Sequence, residues 1–247
     1  AFLSTCCTIL LLIIMEIFPA KAYCESNALA SIALFKCIAA GDYYYHFISE
    51  DSKAVYFRFT RNYNIIEFRS GTIKKELYDT ISQSLKNINF KELEREYHLP
   101  PLDEEEPPLV YEDVYYFLAK PEGDVSDSVL FHEYAAPELL NELVSTVINS
   151  IDSVPKSQLK SSFIISLPSS LLSCLREDQS LPSINIDVDE LSTATFPYPL
   201  QQAITSPASL IKISEENVAK LKKFLFGTSK LRRIIKGGEG MAVLLLE

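Results

Sequence analysis

The sequence predicts an α+β protein: an antiparallel sheet with helices on one face, followed by a second, smaller α+β domain. Three observations carry this. Apolar residues alternate with period two over 43–68 and again over 110–134. An apolar helical stripe follows each block, over 73–88 and 137–151. Beyond 152 the pattern loosens into short strands and one well-capped helix. The expected division is a signal peptide at 1–22, a first α+β domain at 23–152, a linker at 153–162 and a second domain at 163–247.

Each element has its own reason. Residues 9–15 form an apolar run of leader length, and Pro19 and Ala20-Lys21-Ala22 follow it. Small residues at −3 and −1 suit a signal peptidase, which puts the cut after Ala22. The expected location is therefore exported, periplasmic or extracellular, without stable membrane insertion after cleavage. No Lys or Arg precedes the run, so an uncleaved N-terminal anchor is the alternative. Cleavage leaves Cys24, Cys37 and Cys174. Leu29, Ile32, Ala33 and Lys36 fall at helical spacing over 25–36, and a Cys24–Cys37 disulfide would bracket that helix. Closing so short a loop stabilises by roughly 3 kcal/mol. Cys174 lies in an apolar stretch and reads as a buried, inert thiol.

Strands are expected over 43–48, 55–59 and 65–68, separated by turns at 50–53 and 62–64. Thr72 is placed to cap a helix whose Ile73, Leu77, Ile81, Leu85 and Ile88 make one apolar stripe. Prolines frame the acids 103–106, which marks a stiff exposed loop. Strands at 110–119 and 128–134 follow, and Pro137 opens a second helix with a broad stripe. In the last part, strands are expected at 163–167, 184–188 and 210–213, with short helices at 168–175 and 199–204. Ser214 caps a helix with Glu215 and Glu216 first and Lys220, Lys222 and Lys223 last, so its charges complement the macrodipole. Residues 231–235 and 241–246 close as a hairpin about the glycines 237–240.

Composition narrows the function. The net charge of −10 opposes nucleic acid and anionic membrane surfaces. The chain has no Trp and only 7 Gly, which disfavours sugar-stacking modules and glycine-rich phosphate loops. Short motifs fail on context. Ser157-Gln158-Leu159-Lys160 fits S-x-x-K without its companion motifs. His132-Glu133 begins like H-E-x-x-H, but Ala136 stands in place of the second His, and the pair lies in a strand. A packed, hydrogen-bonded His132 is the simpler reading. The glycines 237–240 precede a strand, whereas a phosphate loop precedes a helix. The basic stripe 230–236 reads as edge-strand protection. No catalytic, metal or cofactor residue is assigned.

The tyrosine-rich strands carry the functional expectation. Helices cover one sheet face, and Tyr43, Tyr45, Tyr56 and Tyr115 are candidates for binding a protein or peptide through the other face or an edge. The alternative is that the second domain covers that face. An exported hydrolase with scattered site residues is the rival class.

Leu85, Phe90 and Leu93, then 113–117 (DVYYF), then 137–143 (PELLNEL) lie in the order strand, helix, strand, hairpin, helix. Over 53–151 this order resembles the emfourin-type peptidase-inhibitor modules of bacteria. The resemblance covers less than half of the chain, and what it implies is inhibition of a metallopeptidase.

Overall fold

The computed structural model describes residues 31–38, 41–99, 114–120, 128–168, 171, 183–186, 210–226, 230–236 and 239–247. It is an α+β fold built on two sheets. In chain order the elements are β1 (Ile32–Ile38), β2 (Tyr43–Ile48), β3 (Lys53–Phe59), β4 (Ile65–Thr72), α1 (Lys75–Asn87), a 3₁₀ turn (Phe90–Glu92), β5 (Glu96–Tyr97), β6 (Val114–Ala119), β7 (Ser128–His132) and α2 (Glu138–Ile151). Then come β8 (Ser162–Pro168), β9 (Ser183–Ile186), β10 (Leu210–Ile213), α3 (Glu215–Leu221) running into a π-helical turn (Lys222–Phe226), β11 (Leu231–Lys236) and β12 (Glu239–Leu246).

The first sheet has the order β4-β3-β2-β1-β6-β7-β5 and the second β10-β8-β12-β11-β9. Neighbours are antiparallel except for the β5–β7 and β9–β11 pairs, which are parallel. Each strand has a period-two pattern, so its side chains divide between two cores. Ile32, Leu34, Ile48, Tyr116, Leu118 and Phe131 face α1 and α2 and meet Ile81, Leu85, Leu143 and Val147. Phe35, Tyr43, Tyr45, Phe57 and Phe59 face the second sheet and meet Ile165, Leu167, Leu244 and Leu246. The outer face of the second sheet is covered by Leu221, Leu225 and Phe226, which pack on Ile164, Ile234 and Val243. The layers therefore run helices, sheet, sheet, helix.

The covered second face explains the first correction. Residues 32–36 are a strand, not the end of a helix. The sequence Ile-Ala-Leu-Phe-Lys-Cys-Ile places apolar side chains on both faces of a central strand, and such a run mimics a buried helix. Cys37 thus points into the intersheet core and is 1% exposed. Cys24 lies outside the described residues, and no disulfide is formed among the described ones.

Other elements follow the sequence with local differences. Thr72 does not cap α1, because it stays in the ladder opposite Lys53, and α1 starts after the extended residue Lys74. Pro137 sits at the N-cap of α2, and Ser214 Oγ accepts from Asn217 N at the start of α3. The expected helices at 168–175 and 199–204, the acidic loop, Cys174 and the glycine turn at 237–238 lie outside the described residues, apart from Pro168 and Leu171. The basic stripe is not on an edge, since β11 pairs with both β12 and β9. Its cations work locally. Arg232 donates to Leu225 O and Phe226 O at 2.7 and 2.9 Å, closing the π-helical turn, and Lys230 donates to Tyr63 O at 3.4 Å, tying the second sheet to the β3–β4 turn.

The segment after α2 lies along the edge of β4. Ser157 N donates to Phe68 O at 2.9 Å. A Cβ at Gly71 would lie 3.4 Å from Val154 and Pro155, which is ordinary van der Waals contact. The hydrogen bond to Phe68 also accounts for the Ser157 of the S-x-x-K match.

Candidate binding ledge at the open end of the helix-covered face

The tyrosines expected to form a free surface are mostly enclosed. Tyr43 and Tyr45 are 1% and 0% exposed between the sheets, where Tyr43 stacks on Phe35 and Tyr63 at 6.0 and 6.1 Å. Burial pushes the Tyr45 phenol far above its ordinary range. The second sheet therefore covers the aromatic face, and neither ring can meet a partner. Tyr56 lies on the helix side and is also buried, its phenol pushed up to about 12 by burial, with the Glu67 carboxylate adding to the effect. Tyr115 is half-buried at the rim of the intersheet core and meets the His132 ring edge-on at 5.0 Å. His132 is fully buried, and its Nδ1 accepts from Tyr134 N at 3.3 Å.

A different set of residues forms a surface. Along three central strands, burial on the helix side falls toward one end. Leu34 gives way to half-buried Lys36 on β1, His46 to half-buried Tyr44 on β2, and Tyr56 to half-buried Arg58 on β3. At this end the helix-side residues of β1, β2 and β3 are half-buried, while Tyr116 on β6 stays buried at 3% exposure. Strand register aligns the residues there into one row. Glu67 on β4 faces Arg58 on β3, which faces Tyr44 on β2, then Lys36 on β1, then Tyr116 on β6.

The row alternates cation and ring. Lys36 Nζ stands 5.8 Å from the centre of the Tyr44 ring and 5.5 Å from that of Tyr116. The Arg58 guanidinium lies 5.8 Å from the same Tyr44 ring and pairs with Asp42 at 2.7 Å. Each cation–ring contact contributes about 0.5–1 kcal/mol when exposed and more when dry. Tyr116 OH donates to Glu133 Oε1 at 3.3 Å, and burial, with the nearby Glu133 charge, raises its phenol well above the ordinary range. Behind the row, Arg69 donates from Nη1 to Ile151 O and Val154 O at 3.1 and 3.3 Å and caps the C-terminus of α2. Arg69 and Lys156 both reach Glu67 and hold its carboxyl below the usual range, Arg69 foremost.

The cations differ in what balances them. Arg58 has Asp42, and Arg69 and Lys156 share Glu67. Among the described residues, Lys36 meets only rings. A Lys on the core-facing side of a central strand is uncommon, and this one is half-buried rather than buried.

Two other hollows are polar. A groove of about 680 Å3 between α1 and α2 is lined by Thr80, Ser84, Asn141, Ser145, Glu138 and Glu142, with the two carboxylates one helical turn apart. A second, of about 420 Å3, gathers Lys160, Lys212, Glu215 and Glu247 beside the start of α3. Among the described residues, no group of three or more His, Cys, Asp or Glu could hold a metal ion.

Sequence reasoning missed Lys36, Tyr44, Arg58 and Tyr116. The available signal was Lys36 itself, since in a strand it shares a face with Ile32 and Leu34. No family model matches this chain, and no curated protein matches it.

Proposed function

We propose that this is a non-enzymatic, exported protein that binds a protein or peptide partner, and that the contact surface is the half-buried ledge Arg58–Tyr44–Lys36, with the buried Tyr116 ring supporting Lys36 from the next strand. The observation that carries the reading is the half-buried Lys36 held between the half-buried Tyr44 ring and the buried Tyr116 ring. Tyr and Arg are the residue types that dominate binding energy at protein interfaces. Rigid strands fix their positions, so little entropy is lost on docking. The leader-like residues 1–22 support export, and a cut after Ala22 would leave every described residue in the mature chain. Among the described residues, no helix is long and apolar enough to cross a membrane.

The test compares affinity capture by the wild-type protein and by Tyr44→Ala, with circular dichroism to confirm that both are folded. A partner retained by the wild type and lost by the variant supports the reading. Identical captures, or none across several conditions, refute it. N-terminal sequencing of the mature protein tests the export half.

A further inference from the structure

We infer that the ledge recognises a carboxylate on an acidic peptide segment, with Lys36 as the group that binds it; this rests on the binding role proposed above. The first argument is charge. Every other cation around the ledge is paired, Arg58 with Asp42, and Arg69 and Lys156 with Glu67. Of these four cations only Lys36 lacks a carboxylate among the described residues, so the ledge offers one ammonium to one incoming anion.

The second argument is geometry. Tyr44 and Tyr116 flank Lys36 on neighbouring strands, and their rings hold the ammonium on the sheet surface. A peptide carboxylate reaching Lys36 would lie against the Tyr44 face and beside the Arg58 guanidinium, which can share it by releasing Asp42. The third argument is what the surroundings exclude. Glu133 sits beside Tyr116, and Asp42 and Glu67 border the row, so the ledge presents one anion-binding point rather than a broad basic patch. A single carboxylate matches a single free cation. The overall charge of −10 does not prevent this, since at physiological salt a field reaches only about 8 Å.

The experiment uses fluorescence anisotropy with the full chain and a fluorescein-labelled hexa-glutamate peptide, with hexa-glutamine and inorganic phosphate as comparators. The wild type is expected to bind hexa-glutamate at least about tenfold tighter than hexa-glutamine, the scale of one charge-assisted contact. Lys36→Met should abolish that preference, and Lys36→Arg should keep it. Asp42→Asn should tighten hexa-glutamate binding, because it frees Arg58 beside the bound carboxylate. Absence of hexa-glutamate binding, equal binding of the two peptides, unchanged binding by Lys36→Met, or displacement by phosphate at equal charge concentration overturns the inference. If Tyr44→Ala loses the natural partner while Lys36→Met keeps it, the acidic specificity fails and the ledge stands; if both keep it, both fail.

Discussion

His46 makes the stability of the fold depend on pH in a way that can be worked out from its surroundings. The ring is buried in β2 between Leu34 and Tyr56, with the Tyr56 ring centre 5.0 Å away. Among the described residues its Nδ1 has no hydrogen-bond partner. Burial first, and then the Lys36 charge, lower its folded pKa from 6.5 to about 3. The folded chain therefore keeps His46 neutral at pH values where the unfolded chain protonates it. This contribution is intact above pH 6.5 and is lost as pH falls toward 3. One proton taken up on unfolding costs about 1.4 kcal/mol per pH unit, so between pH 7 and pH 5 the loss is about 2 kcal/mol. The figure depends on the unfolded value, provided the folded one stays well below 5. Urea unfolding of the wild type and of His46→Leu at both pH values isolates the effect, because contributions from other groups cancel in the double difference. The variant should lose about 2 kcal/mol less than the wild type on going to pH 5. Equal losses would refute the claim that His46 is buried neutral.

Three further outcomes are expected. Leu244→Ala, in the core between the sheets, should cost about 2–5 kcal/mol in urea unfolding, and a loss below about 1 kcal/mol would mean that the sheets are not packed together there. Arg69→Met removes the cap on α2 and a partner of Glu67, and should cost about 1–3 kcal/mol, with faster amide exchange at the end of α2; unchanged exchange would remove the capping role. Nitration followed by peptide mass mapping should modify Tyr134, which is 61% exposed, before Tyr44, and should spare Tyr43 and Tyr45 under native conditions. Early modification of Tyr43 or Tyr45 would contradict their enclosure.

Much of the fold was legible because periodicity reports burial. The antiparallel strands β2 to β4, the α2 stripe behind Pro137 and the Ser214 cap all came from local patterns that the tertiary structure does not override. β1 was misread because a central strand with both faces covered loses its alternation. The edge role given to the stripe of 230–236 failed for a related reason, as sequence does not say which strands a strand will pair with. The site was less legible. Tyrosine enrichment was visible, but which face a second sheet would cover was not, and that face took Tyr43 and Tyr45. The ledge depends on register across five strands, which is set by long-range packing.

The position of β12 makes both cores of the second sheet depend on it. This late strand lies in the middle of its sheet, between β8 and β11, and supplies Leu244 and Leu246 to the core against the first sheet. Without β12 the aromatic wall of Phe35, Tyr43, Phe57 and Phe59 loses the apolar cover of Leu244 and Leu246. A chain interrupted before 239 would therefore expose apolar surface, which favours aggregation.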